Sequence, residues 1–243
     1  MTRAGSLVVS LYDYTGVALR PWAEAGYHCL AVDIQHRHNE YAETFGDHGE
    51  GVIEYVGLDL HRGDQFGYRR LQRIIGSSPV AFVSAFPVCT DLAASGARHW
   101  AKKRQENPSF QTIAAMHAKR CADIAIHYGA PYYIENPVGA LSTLWRKPDF
   151  TFHPFQFGGY IPKGEESHPD YPDRIPRRDA YSKRTCLWTG GGFRMPAFRA
   201  VECETYGASR QFRTTGGKSQ RTKNIRSATP RGFARAVFEA NNV

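Results

Sequence analysis

The sequence predicts an α/β fold with a mostly parallel sheet, together with a small loop-rich lobe. Strand-like and helix-like segments alternate along the first half of the chain, and several strands are continuous apolar runs. Such runs are typical of parallel strands that are buried on both faces. From residue 139 to 217, by contrast, proline, glycine and aromatic residues are dense and periodicity is weak. We therefore predict a domain at 1–138, a lobe at 139–217, and a segment at 218–243 that returns to the first domain.

The predicted sheet contains five strands from the first half of the chain. They are expected at Ser6–Tyr12, His28–Ile34, Gly51–Leu60, Pro79–Phe86 and Pro131–Ile134. Short helices are predicted at Val17–Ala25 and Gln65–Ile75. A long helix is predicted from Asn107 and Pro108 to Tyr128, and a final one at Arg231–Ala240. The buried face of the long helix is expected to carry Phe110, Ile113, Cys121, Ile124 and Tyr128.

Composition excludes several classes of protein. The 243 residues are sufficient for one sizeable core. The longest apolar run, Pro79–Phe86, is far shorter than the roughly 18 residues of a membrane span, and the N-terminus lacks a signal-peptide pattern. Five scattered cysteines without a close pair favour free thiols in a reducing compartment, so we expect a cytoplasmic monomer. No metal is expected, because no zinc-ligand spacing connects His153, His168, Cys186 and Cys203.

The net charge of +8 is concentrated in two stretches. Residues 209–238 contain eight basic and no acidic side chains, and a second cluster follows the fourth strand. Segregated positive charge favours a polyanion partner over a merely solvated surface, and we expect DNA. The basic residues concerned are Arg210, Arg213, Lys218, Arg221, Lys223, Arg226, Arg231 and Arg235, and in the second cluster Arg98, Lys102, Lys103 and Arg104.

Ligands of parallel sheets gather at the carboxyl ends of strands, and polar residues follow all five predicted strands. Two familiar nucleotide motifs are absent there. The segment before Gly217-Lys218-Ser219 has Phe212 where a phosphate-binding loop needs glycine, and no G-x-G-x-x-G follows the first strand. The candidate segments are Asp13–Gly16, Asp33, Asp59, Phe86–Cys89 and Glu135–Pro137.

Cys89 and Glu135 are the candidate catalytic residues. A lone cysteine is usually a buried small hydrophobe, but Cys89 comes directly after an apolar strand and precedes a polar, basic segment. Nearby cations lower a thiol pKa and activate it as a nucleophile. Glu135 follows the next strand, where a carboxylate either caps a helix or binds and protonates a heterocycle.

These motifs, in this order, resemble the DNA cytosine-5 methyltransferase family, and the chain looks like its small bacteriophage-encoded members. Pro87, Cys89 and Gly96 match the family's Pro-Pro-Cys-Gln nucleophile motif, and Glu135-Asn136 matches its Glu-Asn-Val motif. The segments that resemble cofactor motifs are Ala25–Tyr27 with Asp33, Gly57–Asp59, and Arg226–Pro230. The resemblance covers residues 6–137 and 225–240.

The resemblance implies a Rossmann-like methyltransferase fold and S-adenosylmethionine-dependent methylation of cytosine C5 in DNA, with the target base flipped out of the duplex. Cys89 would attack C6, and Glu135 would bind the N3/N4 edge of the base. The implied cofactor-binding residues are Tyr14, Thr15, Gly16, Asp33, Asp59, Pro87 and Ser227. The loop from Ser95 to Gln105 would fill the space that the flipped base leaves in the stack of the duplex. The implied substrate-binding residues are Asn136, Ser95, Arg98, His99, Trp100, Lys102, Arg177, Arg178, Arg213, Lys218, Arg221 and Lys223.

The chain departs from the family at the cofactor loop, and two other functions stay open. Residues 14–19 keep one glycine of the family's Phe-x-Gly-x-Gly-Gly loop. The Gln-x-Arg-x-Arg motif is not recognisable, and Arg177-Arg178 or Arg184 are the candidates to replace it. One alternative is transfer of hydroxymethyl from methylenetetrahydrofolate to cytosine C5, in DNA or in a nucleotide. The other is a catalytically silent nucleic-acid-binding protein on the same scaffold.

Overall fold

The computed structural model describes residues 5–38, 40–61, 66–204 and 219–242. The chain forms two compact units, Met1–Thr151 with Thr185–Phe193, and Phe152–Arg184 with Arg194–Val243. These units differ from the three predicted segments. The first unit extends past residue 138 and takes in a later strand, and residues 218–243 group with the lobe instead of the first domain.

The first unit is built on an eight-stranded sheet. Across the sheet the order is β3-β4-β2-β1-β5-β6-β8-β7, and β4, β2, β1, β5 and β6 are parallel to one another. These five are the predicted strands, so the predicted Rossmann-like α/β fold with a mostly parallel sheet is confirmed. The strands are β1 (Leu7–Leu11), β2 (His28–Asp33), β3 (Ala42–Phe45), β4 (Gly51–Gly57), β5 (Val80–Ala85), β6 (Tyr132–Pro137), β7 (Phe150–Phe152) and β8 (Thr185–Gly190).

The order of the parallel strands places a ligand crevice beside β1. The chain winds outward through β2 and β4 on one side of β1, and through β5 and β6 on the other. The connections therefore diverge at the carboxyl end of β1, which is where open α/β sheets bind their ligands. Two antiparallel strands were not predicted: β3 pairs with β4 at one edge, and β8 pairs with β6.

Seven α-helices are described. They are α1 (Arg20–Glu24), α2 (Phe66–Ile75), α3 (Trp100–Glu106), α4 (Phe110–His127), α5 (Leu141–Leu144), α6 (Gln220–Ser227) and α7 (Arg231–Asn241). The predicted loop from Ser95 to Gln105 is wrong, because Ala94–His99 is a 3₁₀ helix that continues into α3. No helix in the described ranges is both long and apolar enough to cross a membrane.

Helix α4 buries Phe110, Cys121 and Ile124 as predicted, whereas Tyr128 is half-buried. Its buried stripe is made mostly of small residues, whereas Ile113 is 41% exposed. Alanine lets the helix lie close to the sheet, so the stripe is centred on the alanines and not on the larger aliphatic side chains. The buried alanines are Ala114, Ala115, Ala118, Ala122 and Ala125.

The second unit has an aromatic core of its own. Phe152 stacks on Phe233 of α7, and Phe157 packs against both rings. The N-terminus of α7 is held by Asp179, whose Oδ2 accepts a 3.1 Å hydrogen bond from the Gly232 amide. These contacts explain why the C-terminal helix groups with the lobe.

A buried polar cluster lies between α4 and the end of β4. The ring of His117, which is 2% exposed, lies 4.1 Å from the ring of His61. Burial lowers the pKa of His117 to about 4, and the neighbouring His61 and Arg120 add to the effect. The cluster is therefore neutral at both histidine rings near pH 7, because burial also lowers the pKa of His61.

The low pKa of His117 makes folding stability depend on pH. The unfolded chain binds a proton here below about pH 6.5, whereas the folded state does not until about pH 4, so stability falls as pH drops through that range. Acidification from pH 7 to pH 4.5 should lower the free energy of unfolding of the wild type, and we expect His117→Gln to reduce this loss by about 2 kcal/mol. Urea unfolding at pH 7 and pH 4.5 measures it, with the exposed His127→Gln on the same helix as the control. An unchanged pH dependence in His117→Gln would contradict the assignment.

Candidate active site

The chain reverses direction directly after β1 without a glycine. Tyr12 adopts a left-handed backbone conformation with φ of 58°, which is uncommon for a residue with a side chain. Its hydroxyl lies 3.3 Å from the Leu60 carbonyl and donates to it, and it is 3.2 Å from the hydroxyl of Tyr68. These two contacts of the half-buried Tyr12 side chain hold the strained turn in place.

Asp13 organises the loop that follows. Its Oδ1 accepts from the amide of Gly16 at 2.9 Å and from the amide and hydroxyl of Thr15 at 3.1 and 3.2 Å. Its Oδ2 accepts from the hydroxyl of Ser10 at 2.8 Å. Burial raises the pKa of Asp13, and these donors oppose the increase. Because all four partners donate, the contacts are those of a carboxylate, and they fix the loop backbone.

Three aromatic rings cover the same loop from the side of β2 and β4. The ring of Tyr14 stacks on His36 at 5.4 Å, and Nε2 of His36 lies 3.2 Å from the Asp13 carbonyl. Gly16 has a φ of +64°, and a Cβ there would come within 2.6 Å of the Tyr55 hydroxyl. Only glycine fits beneath the Tyr55 hydroxyl at this position. The loop is therefore held by His36 on one side and by Tyr55 on the other.

Asp33 and Asp59 lie at the ends of the two strands beyond the loop. Oδ1 of Asp33 accepts a 2.8 Å hydrogen bond from the Gln35 amide, and this bond orients the carboxylate. Oδ2 takes no part in that bond. Asp59 is already engaged, because Oδ1 accepts from the His61 amide and Oδ2 lies 3.3 Å from Arg37. A cavity of about 580 Å³ opens here, lined by Arg37, Glu40, Gly57, Leu58, Asp59, Phe66, Gly67 and Arg70.

On the other side of β1, backbone bonds join the segment after β5 to the segment after β6. The carbonyl of Cys89 accepts from the amides of Leu92 and Ala93 and so begins a tight turn. Ala94 then donates to the carbonyl of Val138, and Ala140 donates to the carbonyl of Leu92. The turn that carries Cys89 is thereby fastened to the residues directly after Glu135 and Asn136.

Asn136 makes the side-chain bond between the two segments. It is 0% exposed, and its Nδ2 donates to the carbonyl of Pro87 at 2.9 Å, two residues before Cys89. The predicted contact of Asn136 with substrate does not fit this burial. The geometry instead makes Asn136 a positioning residue for the Cys89 segment.

Cys89 is the exposed cysteine of the chain, and the other four are buried. The usual interpretation of a lone cysteine, a buried packing residue, therefore fails for Cys89. Glu135 is half-buried at the end of β6, beside the bonded segment described above. Two exposed apolar side chains, Val88 and Val138, follow the same two strands. The thiol and the carboxylate thus lie on two segments that are bonded to each other at this edge of the sheet.

The helical segment after Cys89 is basic and is tied back to the turn. Lys103 of α3 forms an ion pair with Asp91, and Gln111 donates to the Asp91 carbonyl at 3.2 Å. The predicted residues of this segment, Ser95, Arg98, His99 and Lys102, are exposed, and Trp100 is half-buried. Their side chains are therefore available to a polyanion, although they project from helices instead of a loop.

The remaining predicted residues lie in the second unit. Ser227 ends α6 and donates to the Asn224 carbonyl, whereas Arg178 donates to the carbonyls of Gly158 and Ile161. Arg177 is exposed beside Glu166, and Arg221 and Lys223 are exposed on α6. Arg213 and Lys218 fall outside the described residues. Ser10, His36, Tyr55 and Ser84 were missed, because each bonds or packs with residues far away in sequence.

Comparison with known proteins finds similar chains among solved structures. No protein-family model matches it, and no curated protein matches its sequence. A crystal structure of a prophage-encoded E. coli protein, proposed to be a DNA modification methyltransferase, matches 76% of this chain with a TM-score of 0.39 and 11% identity. The match spans 46% of that protein. A similarity of this size says nothing about activity.

The bond from Asn136 to Pro87 yields a graded prediction for stability. Asn136→Ala removes the donor together with a buried Oδ1 that has no hydrogen-bond partner, and we expect a loss of about 1 kcal/mol. Asn136→Asp places a buried carboxylate against the Pro87 carbonyl and should cost about 3 kcal/mol. Urea unfolding measures both, with the exposed Asn107→Asp as control. Equal stability of Asn136→Asp and the wild type would contradict the positioning role.

Proposed function

We propose that this protein methylates C5 of cytosine in DNA, with Cys89 as nucleophile and S-adenosylmethionine as methyl donor. The observation that carries the proposal is the junction between the ends of β5 and β6. There an exposed thiol and a half-buried carboxylate are held together by backbone bonds and by Asn136. C5 of cytosine is a poor nucleophile, and a thiol beside a carboxyl group is suited to activating it.

Cys89 supplies the covalent activation. Its thiolate forms a bond from Sγ to C6 of the base, and the electron pair of the C5–C6 double bond makes C5 nucleophilic. After C5 has gained its new substituent, it gives up its proton to water, and the electron pair of the C5–H bond re-forms the C5–C6 double bond. The Sγ–C6 bond breaks, and the thiolate leaves with the electron pair of that bond. Arg98 and Lys102 lie on the helical segment that follows, where positive charge favours the thiolate.

Glu135 holds the other side of the ring. Its carboxyl group is suited to bind the N4 amine and to favour a proton at N3, which draws electrons away from C6 during the attack. In duplex DNA the base must first leave the stack, at a cost of a few kcal/mol. The apolar side chains of Val88 and Val138 are suited to pack against the extruded base.

The residues on the donor side fit S-adenosylmethionine. Asp33 offers Oδ2 to ribose hydroxyls, and the clamped loop of Tyr14–Gly16 offers its backbone. Asp13 and Asp33 are close enough that Asp33 contributes to the raised pKa of Asp13, so a positively charged sulfonium would relieve their repulsion. The donor, when bound, supplies the electrophilic methyl group that C5 takes.

The carboxylates argue against a folate donor, and the exposed thiol argues against a catalytically silent protein. Folate donors carry negative charge, and Asp13 and Asp33 would repel them. A silent binding protein has no use for an exposed thiol fastened beside a carboxylate. Incubation of the protein and DNA with each donor, followed by mass spectrometry of nucleosides, tests all three functions. 5-Methylcytosine formed with S-adenosylmethionine supports the proposal, and 5-hydroxymethylcytosine formed with methylenetetrahydrofolate would overturn the donor.

The nucleophile is tested by substitution and by trapping. Cys89→Ala should lower turnover by several orders of magnitude while leaving DNA binding unchanged, since the exposed thiol packs against little. DNA that contains 5-fluorocytosine should trap the wild type covalently, because fluorine does not leave C5 as a proton does. Denaturing electrophoresis detects the adduct, and Cys121→Ala controls for the buried thiols. A Cys89→Ala protein that keeps a tenth of the wild-type turnover would exclude the mechanism.

Glu135→Gln separates a chemical role from a structural one. Glu135 lies inside β6 and pairs with Leu187 of β8, so the alternative prediction that it caps a helix is wrong. The substitution keeps the shape of the side chain but removes the charge that supports protonation at N3, so we expect kcat to fall about 10²-fold or more. Single-turnover kinetics on protein of verified fold measure the change. A normal kcat with reduced stability would contradict the chemical role.

A further inference from the structure

A row of buried hydroxyl groups crosses the sheet of the first unit. Ser10 on β1 pairs in register with Ser84 on β5, and Ser84 pairs with Tyr133 on β6. All three side chains are buried. Residues at matching register positions of neighbouring strands point to the same face of the sheet, so the three hydroxyls form a line.

Hydrogen bonds connect this row to the loop after β1. Ser84 donates to Oγ of Ser10 at 2.8 Å, and Ser10 donates to Oδ2 of Asp13 at 2.8 Å, while Tyr133 lies beside Ser84 in the register of β5 and β6. The other oxygen of Asp13 accepts from the Thr15 and Gly16 amides. A continuous chain of hydrogen bonds therefore runs from Ser84 on β5, through Ser10 on β1, to the loop backbone.

The far end of the row lies beside the candidate catalytic residues. Tyr133 precedes Glu135 by two residues on β6, so both side chains are on the same face. The ring of Phe86, in the segment that leads to Cys89, packs edge-on against Tyr133 at 5.9 Å. The row thus spans the distance between the donor loop and the strand end that carries Glu135.

The hydroxyls are not required for burial. Apolar residues of the same size would pack this part of the sheet with nearly equal stability, because a buried pair of bonded polar groups gains little net free energy. What the row adds is a fixed geometry, since each bond has a narrow range of length and angle. The loop of Tyr14–Gly16 has one glycine and follows Tyr12 with its strained backbone. Its conformation therefore depends on hydrogen bonds of fixed geometry.

We propose that Ser10, Ser84 and Tyr133 are positioning residues that hold the Asp13 carboxylate and thereby set the loop of Tyr14–Gly16 relative to Glu135. They touch neither base nor donor. The effect on the donor rests on the proposed function, whereas the effect on the loop does not. Ser84 is the central member of the row, because it donates to Ser10 on β1 and lies in register with Tyr133 on β6.

Ser84→Ala tests the row with two independent measurements. Hydrogen exchange at the Thr15 and Gly16 amides, followed by NMR, should become about tenfold faster or more. The Kd for S-adenosylmethionine should rise about tenfold while kcat at saturating donor falls less than about threefold. Ser6→Ala is the matched control, because Ser6 is a buried serine next to β1 and outside the row.

Asp13→Asn separates geometry from charge. The amide keeps an oxygen for Thr15 and Gly16 but loses the negative charge. Positioning predicts a weaker Kd for the product S-adenosylhomocysteine, whose sulfur is neutral, as well as for S-adenosylmethionine, and the lost charge adds to the change for S-adenosylmethionine. A weaker Kd for S-adenosylmethionine alone would assign Asp13 to charge attraction and overturn its positioning role.

The possible outcomes separate this proposal from the proposed function. If exchange at Thr15 and Gly16 in Ser84→Ala matches that in Ser6→Ala, the positioning row is excluded. If exchange increases as expected but the wild type binds no S-adenosylmethionine, the row holds the loop and the proposed donor is wrong. If both exchange and Kd change as expected, both proposals are supported.

Discussion

A parallel sheet brings the carboxyl ends of its strands to one edge, and this constraint governs the whole candidate site. β1, β2, β4, β5 and β6 all point the same way, so residues up to 122 positions apart, from Asp13 to Glu135, come to the same edge. The edge is divided at β1, where the winding reverses. Residues after β2 and β4 lie on one side of that division, and Cys89 and Glu135 lie on the other.

The loop after β1 shows how a glycine-rich motif is replaced by bonds from elsewhere. Glycines make a tight loop possible, but they also leave it flexible. Here Tyr12 takes the strained backbone conformation and Asp13 binds the following amides. His36 contacts the Asp13 carbonyl, and the polar row holds the carboxylate from below. These contacts fix the conformation of a loop that has few glycines. A fixed loop is what the proposed binding of a donor requires.

Sequence patterns predicted the features that depend on short-range order. The five parallel strands were found because each is an apolar run followed by a turn, and Cys89 and Glu135 because each directly follows such a run. β8 was missed because its partner β6 precedes it by about fifty residues and its own end is glycine-rich. The role of Asn136 depends on a backbone carbonyl 49 residues earlier, and α3 has no apolar periodicity. Contacts of this kind leave no local signal.

Charge is distributed unevenly along this edge, and the distribution suits the two unlike substrates of the proposed function. Asp13 and Asp33 lie beside the crevice on the β2 side, whereas Arg98, Lys102, Lys103 and Arg104 follow Cys89. Asp91 pairs with Lys103, and Glu106 lies 3.9 Å from Lys102, so the exposed Arg98 and Arg104 carry most of the uncompensated positive charge. A polyanion is steered towards the thiol and away from the carboxylates, while a cationic donor is drawn the opposite way. Since transfer of a methyl group neutralises the sulfur, the attraction that favours binding of the donor is lost in its product. The same separation of charge that keeps the two substrates apart therefore also favours release of the spent donor.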